Sequence, residues 1–230
     1  MTALLTIENL PDLNETITVP EDIFEELTAQ DASVAGFNPY EQPTVRDLLY
    51  GVLLPSGADA CETLARAVGG SEEGFVAMMN QKAEELGLTN THFENCTGLH
   101  NDNHYSTCRD IAVLMSECLK SDTFREIVTR EVYTTEATAS HPEGITLYDT
   151  MLHRFTSYEM STTLENGAVI EGGKTGFTDE AGQCLVSFAE YGGEEYILVT
   201  AEAMTDSGSA VDSIADASTV YGSCLLYTSP

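Results

Sequence analysis

The sequence predicts an α+β fold, an antiparallel sheet packed with helices plus a helical subdomain, and three observations carry that expectation. Apolar residues between 59 and 120 recur at helical spacing. After residue 130 the pattern changes to short β-rich runs, and the last two of these are separated by a glycine pair suited to a tight hairpin. Helices in a block followed by a meander and a closing helix form such a layered fold.

Each element has a local reason. A helix is expected from about Asp59 to Val68. The next runs over residues 71 to 86: Ser71 caps it, Glu72 and Glu73 suit its positive first turn, Phe75, Met78, Met79 and Leu86 share a face, and Gly87 ends it. A third covers residues 107 to 120, with Thr107 as cap and Ile111, Leu114, Met115, Cys118 and Leu119 along one apolar stripe. Strands are expected at about 131 to 135, 168 to 172, 184 to 189 and 196 to 202. Gly192 and Gly193 supply the positive φ that an antiparallel connection between the last two needs. A closing helix is expected from about Ala210 to Tyr221.

The chain has 230 residues, 42% of them hydrophobic, with no internal repeat or linker, so it reads as one cooperative unit with a sizeable core. Its 38 acidic and 9 basic residues give a net charge of −29, which argues against binding nucleic acid or an anionic membrane, because both need clustered Lys and Arg. All nine basic residues fall at or before Lys174. The six cysteines form no Cys-x-x-Cys pair and are read as buried free thiols. His100 and His104 flank a loop-like run rather than a helical ligand pair, so no metal and no cofactor is expected. No apolar run is long enough to span a bilayer, and no signal peptide is visible ahead of Thr2-Ala3-Leu4-Leu5.

Two short constellations could carry chemistry. Pro55-Ser56-Gly57-Ala58-Asp59 puts a hydroxyl on a tight turn just before a helix N-terminus, where the backbone dipole favours developing negative charge. The ordinary role of such a serine is a cap or turn residue. Gly172-Gly173-Lys174-Thr175-Gly176-Phe177-Thr178 puts a cation and a hydroxyl at the end of a strand, with glycines that remove side chains from a ligand's path. Lys174 is one of three lysines and the last base in the chain, so it could hold a substrate carboxylate. His104, in His104-Tyr105-Ser106-Thr107, is read as fixing a loop and is left out of the site.

These constellations resemble the Ser-x-Asn turn and Lys-Thr-Gly strand of the penicillin-recognising serine acyl transferases. Thr44-Val45-Arg46-Asp47-Leu48-Leu49, Met79-Asn80-Gln81-Lys82-Ala83, Leu86-Gly87-Leu88-Thr89-Asn90-Thr91-His92-Phe93, Gly98-Leu99 and His104-Tyr105-Ser106-Thr107 extend the likeness. Over about residues 1 to 205, their order and spacing resemble the serine D-Ala-D-Ala carboxypeptidases, the low-molecular-mass penicillin-binding proteins. The resemblance implies an exported enzyme whose serine attacks the terminal D-Ala-D-Ala bond of the peptidoglycan stem peptide, and which β-lactams acylate. It implies that Ser56 relays protons near the leaving amine, Lys174 adds positive potential, Thr175 hydrogen-bonds the terminal carboxylate, and Gly176 and Phe177 line the substrate.

The sequence departs from that family pattern in three places. The family's opening motif resembles Ser-x-x-Lys-x-Met-Thr-Ala-Leu, whereas this chain begins at Met1-Thr2-Ala3-Leu4, so the nucleophile and its lysine are expected just upstream and the chain alone is expected to be inert. Ala58 stands where Asn is expected, and no Arg or Lys follows Lys174. Residues 1 to 222 are read as the catalytic domain without its nucleophile segment, and 223 to 230 as a tail foreign to it. Any membrane attachment is expected to lie in segments absent from the chain. Three other readings are a non-catalytic peptidoglycan-peptide binding protein, a β-lactamase-like serine hydrolase, and a Ser-Lys pair in which Ser56 itself is the nucleophile.

Overall fold

Hydroxyl caps start much of the helical layer. In the computed structural model, which describes residues 1–203 and 212–224, Ser71 accepts from the Gly74 N–H, Thr107 from Asp110 and Ser121 from Phe124. Thr44 and Asp47 form a reciprocal capping box. The helices so capped are α5 (Glu72–Glu85), α6 (Cys108–Cys118), α7 (Asp122–Val128) and α3 (Val45–Leu53). With α1 (Thr2–Asn9), α2 (Ile23–Ala29) and α4 (Ala58–Gly69) they make up the helical part of the fold. The helices expected at 59 to 68, 71 to 86 and 107 to 120 are therefore present within two residues at each end.

The chain then passes through a small hairpin, β1 (Val132–Thr134) with β2 (Thr146–Tyr148), and the short helix α8 (Leu152–Ser157). The main sheet follows as a meander, β3 (Val169–Thr178), β4 (Gly182–Tyr191) and β5 (Glu194–Ala203), antiparallel in the order β3-β4-β5. Tyr191 pairs with Glu194 across Gly192 and Gly193, whose φ values of +64° and +85° are those the hairpin was expected to need. Helix α9 (Asp212–Cys224) closes the fold; residues 210 and 211 of the expected last helix, and 225 to 230 of the expected tail, lie outside the described residues.

Alternation along β4 divides the core in two. Val186 and Phe188 face the helical layer, where Leu48, Leu49, Leu64 and Phe75 are fully buried. Leu185 and Ala189 face the other way, toward α8 and α9, and pack with Phe155, Ile214 and Tyr221. The sheet is thus covered on both faces.

The first expectation to be corrected concerns the glycines before Lys174. Strand β3 does not end at residue 172 but continues to Thr178, past a bulge between Ile170 and Gly172. Gly172 and Gly173 make room for protein rather than for a ligand. A Cβ on Gly172 would lie 2.4 Å from the Val128 carbonyl oxygen, and one on Gly173 2.4 Å from the Val186 oxygen and 2.8 Å from Met151 Sδ. The cysteines need a correction too. Among the described side chains five are free, of which Cys61, Cys96 and Cys118 are buried; Cys108, first residue of α6, is exposed and Cys184 half-buried.

One buried anion organises the start of α4. The Asp59 carboxylate, with no solvent exposure, accepts from the N–H groups of Ala35 (2.7 Å), Gly36 (3.0 Å) and Phe37 (3.0 Å), and so ties loop 35–37 to the turn carrying Ser56. Asp59→Ala leaves those donors without an acceptor in the interior, at an expected cost of about 3 kcal/mol. For a chain of this length that lowers the melting temperature by roughly 6–12 °C, read by circular dichroism. An unchanged melting temperature would show that the loop does not depend on this carboxylate.

Candidate active site

Ser56 sits just outside α4, at a positive φ of +64°, a conformation that costs energy for any residue with a Cβ. It is not the cap of the helix: Gly57 takes that position and makes no side-chain cap bond. Gly57 is itself fixed, since a Cβ there would come within 2.7 Å of Ala35 and Asp59. The Ser56 hydroxyl is consequently presented on a sharp turn anchored by the Asp59 network, where it lines a cavity of about 330 Å³.

Lys174 lines the same cavity from the opposite layer. It lies in mid-strand, paired with Val186 of β4, on the face of the sheet turned to the helices. Its Nζ donates to the Thr175 carbonyl oxygen at 2.9 Å. Burial pulls the amine down to about 8, against the upward pull of Asp149 and assisted by the positive charge of Arg154. The Asp149 carboxyl is in turn pushed up to about 6 by burial, although it accepts from the N–H groups of Met151 (2.8 Å) and Leu152 (2.6 Å). An acid and a base, each displaced toward neutrality, therefore share the junction between β3 and the turn into α8.

Lys174 also borders a second cavity, of about 480 Å³, together with Thr175, Gly176 and Phe177. Thr175 Oγ1 lies 2.6 Å from Thr150 Oγ1, one of the two hydroxyls donating to the other. Phe177 is 63% exposed, and β3 is an edge strand whose strand partner is β4. All five residues singled out in the sequence thus lie around two adjoining cavities with Lys174 common to both. Ser56 and Lys174 meet in one; Thr175, Gly176 and Phe177 line the other.

His104, set aside in the sequence reading, borders both cavities. Its Nδ1 accepts from the Glu94 N–H at 3.4 Å and its ring meets Phe93 edge-on at 5.6 Å, so it does secure its loop; burial also holds its pKa down. Cys61, on the cavity wall, is pushed up to about 12 by burial and stays a thiol. Ala58 uses its N–H to donate to Ser33 O at 2.8 Å. The nearest carboxamide on the cavity wall, Asn95, is committed to its own turn through Leu99 O (2.9 Å) and Gly98 N (2.7 Å).

Three participants escaped the sequence reading. Asp149 and Thr150 follow strand β2, and Arg154 lies on α8, so all are near Lys174 through the tertiary fold. Asp149 ahead of the apolar Met151-Leu152 pair was visible as a capping pattern, but nothing local linked it to a lysine 25 residues on. No basic residue follows Lys174 in sequence, yet Arg154 places a second positive charge near it.

The mixed fold, helices packed on an antiparallel sheet, matches that of solved DD-transpeptidases, the penicillin-recognising serine transferase fold. The chain belongs to the D-alanyl-D-alanine carboxypeptidase family, Peptidase_S11, whose model matches residues 1–205. It is 34% identical over 206 residues to the D-alanyl-D-alanine carboxypeptidase DacF of Bacillus subtilis, covering 89% of this chain and 50% of that protein. A D-alanyl-D-alanine carboxypeptidase of Streptomyces sp. strain K15 is 36% identical, over 81% of this chain and 64% of that protein. The crystal structure of the Streptomyces K15 DD-transpeptidase superposes with a TM-score of 0.77 at 30% identity, covering 96% of this chain and 85% of that one. The chain therefore spans about half the length of the Bacillus relative and under two thirds of the Streptomyces one.

The displaced amine of Lys174 gives a direct test. Competitive acetylation across the pH range, read by mass spectrometry, is expected to place its midpoint at about 8, well below the ~10.4 of a free lysine. Since the unfolded chain then binds more protons than the folded one between those values, stability rises with pH in that window. Lys174→Met accordingly raises the melting temperature at pH 7, and the gain fades as pH climbs through 8. A midpoint at the ordinary lysine value would contradict the burial of this amine.

Proposed function

We propose that the protein is a serine-type D-Ala-D-Ala carboxypeptidase acting outside the cytoplasm on the stem peptides of peptidoglycan, and that β-lactams acylate it. The observation that carries this reading is the sharing of one cavity by Ser56 and Lys174, with Thr175 on the adjoining wall, in a chain of this family. No Ser-x-x-Lys occurs anywhere in the 230 residues. The acyl-forming serine and its lysine are therefore not among the residues given roles here. Met1, Thr2 and Ala3 border the Ser56–Lys174 cavity. Residues 1 to 222 constitute the catalytic domain in this reading, and 223 to 230 a tail outside it.

Each role proposed here draws support from a residue's position. Carboxypeptidase chemistry needs a proton delivered to the departing D-Ala amine and positive potential at its carboxylate. Ser56 O–H, lining the same cavity as an amine whose pKa of about 8 allows exchange near neutrality, passes that proton in this reading. Lys174, reinforced by the charge of Arg154, provides the potential, and the Thr175 hydroxyl is placed to donate to the carboxylate. The edge of β3 at Gly176 and Phe177 offers backbone groups to an extended peptide. Among the described residues no helix is long and apolar enough to cross a membrane, so attachment to one would depend on other segments.

A second reading, a binding protein for the same peptides without turnover, draws support from Ala58, which gives the site no carboxamide at that position. The two separate cleanly in the full-length protein. The enzyme reading expects covalent labelling by a fluorescent penicillin and release of D-Ala from a D-Ala-D-Ala peptide. Within it, Ser56→Ala slows turnover by about 10²–10⁴, and Lys174→Ala slows acylation by about 10²–10³. A folded protein that binds the peptide calorimetrically without labelling would favour the binding reading. An adduct on a peptide containing Ser56, from the 230 residues alone, would instead make Ser56 the nucleophile.

A further inference from the structure

Beside α4, three potential ligand atoms from distant parts of the sequence converge. Glu62 lies on α4, Glu72 is the first residue of α5, and Cys96 lies in the loop beyond Phe93. One carboxylate oxygen from each glutamate and the Cys96 sulfur lie within 4.8 Å of one another. The cluster is already organised: Cys96 Sγ donates to Glu62 Oε1 at 3.4 Å, and Cys96 N donates to Glu72 Oε1 at 3.2 Å.

The second observation concerns the other oxygen of Glu62. Glu62 is 7% exposed, and its Oε2 is buried without any hydrogen bond. Its nearest cation is Arg66, whose Nε forms an ion pair with Oε2 at 3.5 Å without making a hydrogen bond, while Nη1 donates to both oxygens of Asp22 at 2.8 and 2.7 Å. A buried carboxylate oxygen with no donor is costly unless something else satisfies it. Glu62 and Glu72 border an open cavity of about 600 Å³ that also carries Glu26, Asp31, Glu94 and Asp179, which gives a cation a route in and an attractive field.

We propose that Glu62, Glu72 and Cys96 bind a thiophilic divalent cation, with Zn²⁺ the best match. A thiolate and two carboxylates satisfy its preference for mixed sulfur and oxygen donors, and water from the cavity completes a tetrahedron. Such an ion holds its ligand atoms roughly 3.3–3.6 Å apart, so side-chain movements of about 1 Å close the set. Binding displaces the Cys96 thiol proton to solvent, and the ion supplies Glu62 Oε2, which makes no hydrogen bond, with a partner beside the longer Arg66 ion pair. It also ties α4, α5 and the Cys96 loop together. Cys96 and its loop also line the Ser56–Lys174 cavity, and Thr2 Oγ1 donates to Cys96 O at 2.7 Å.

The inference is independent of the enzymatic reading, and its test is spectroscopic. The purified chain, stripped with a chelator and kept reduced with a phosphine, is titrated with Co²⁺ and then with Zn²⁺. The expected result is one Co²⁺ per chain with a thiolate-to-cobalt charge-transfer band that Zn²⁺ bleaches. Cys96→Ala abolishes the band while Cys61→Ala and Cys108→Ala retain it, and Glu72→Gln weakens binding by more than about tenfold, a loss that outer-sphere changes alone can reach. The proposal is overturned if no such band forms, or if it survives Cys96→Ala in a folded protein. It is overturned equally if the band disappears with Cys108→Ala, which marks adventitious binding at the exposed thiol. Should Cys96→Ala fail to fold, Glu72→Gln decides, and an unchanged affinity there overturns the proposal as well.

Discussion

The closeness of β3 to the layers on both its faces depends on two missing side chains. Gly172 lets the strand press against the Val128 carbonyl at the end of α7, and Gly173 lets it press against Met151 and the neighbouring strand. Any Cβ at either position would lie 2.4 Å from a backbone oxygen, so substitution would move the strand. That approach fixes where the next residue goes. Lys174 follows immediately, in mid-strand, and its ammonium is carried into the gap between sheet and helices with little water to solvate it. Its lowered pKa, its proximity to Asp149 and its position opposite Ser56 all follow from this backbone contact.

The opposite wall is held by different physics. There the constraint is one fully buried carboxylate, Asp59, collecting three N–H groups from loop 35–37 and holding the turn before α4 in a conformation that suits a glycine better than a serine. Strain at Ser56 is thus maintained by hydrogen bonds that do not involve Ser56. The two walls belong to separate packing systems, one a glycine-mediated strand contact and the other a helix N-terminus with its loop. Their meeting across the cavity is what makes the site.

Much of this was legible in the sequence because it was local. Ser71, Thr107 and the Gly192-Gly193 pair announced two helices and a hairpin that the fold contains. The Lys-Thr-Gly run and Ser56 turn were found by resemblance, and the fold brings them to adjoining cavities. Helix α3 was missed although its capping box, Thr44 to Asp47 ahead of an apolar run, was readable. Helices α2, α7 and α8, of six or seven residues, are too short for a period to declare itself. Strand β2, of three residues, is defined by its pairing with β1. The purpose of Gly172 and Gly173 was misread because it depends on what lies across from them, and Asp149, Thr150 and Arg154 were hidden because their relation to Lys174 exists only in three dimensions. The Glu62–Glu72–Cys96 cluster is of the same kind: no ligand spacing in the sequence marks it.

The account rests on the cavity shared by Ser56 and Lys174 being the place where the family's chemistry occurs. A crystal structure of the full-length protein trapped with a β-lactam tests that most directly. The account predicts the bound drug in this cavity, with its carboxylate within hydrogen-bonding distance of Thr175 Oγ1, Lys174 Nζ beside it and Ser56 Oγ next to the ring nitrogen. A drug bound away from β3, or one whose carboxylate meets neither Thr175 nor Lys174, would contradict it.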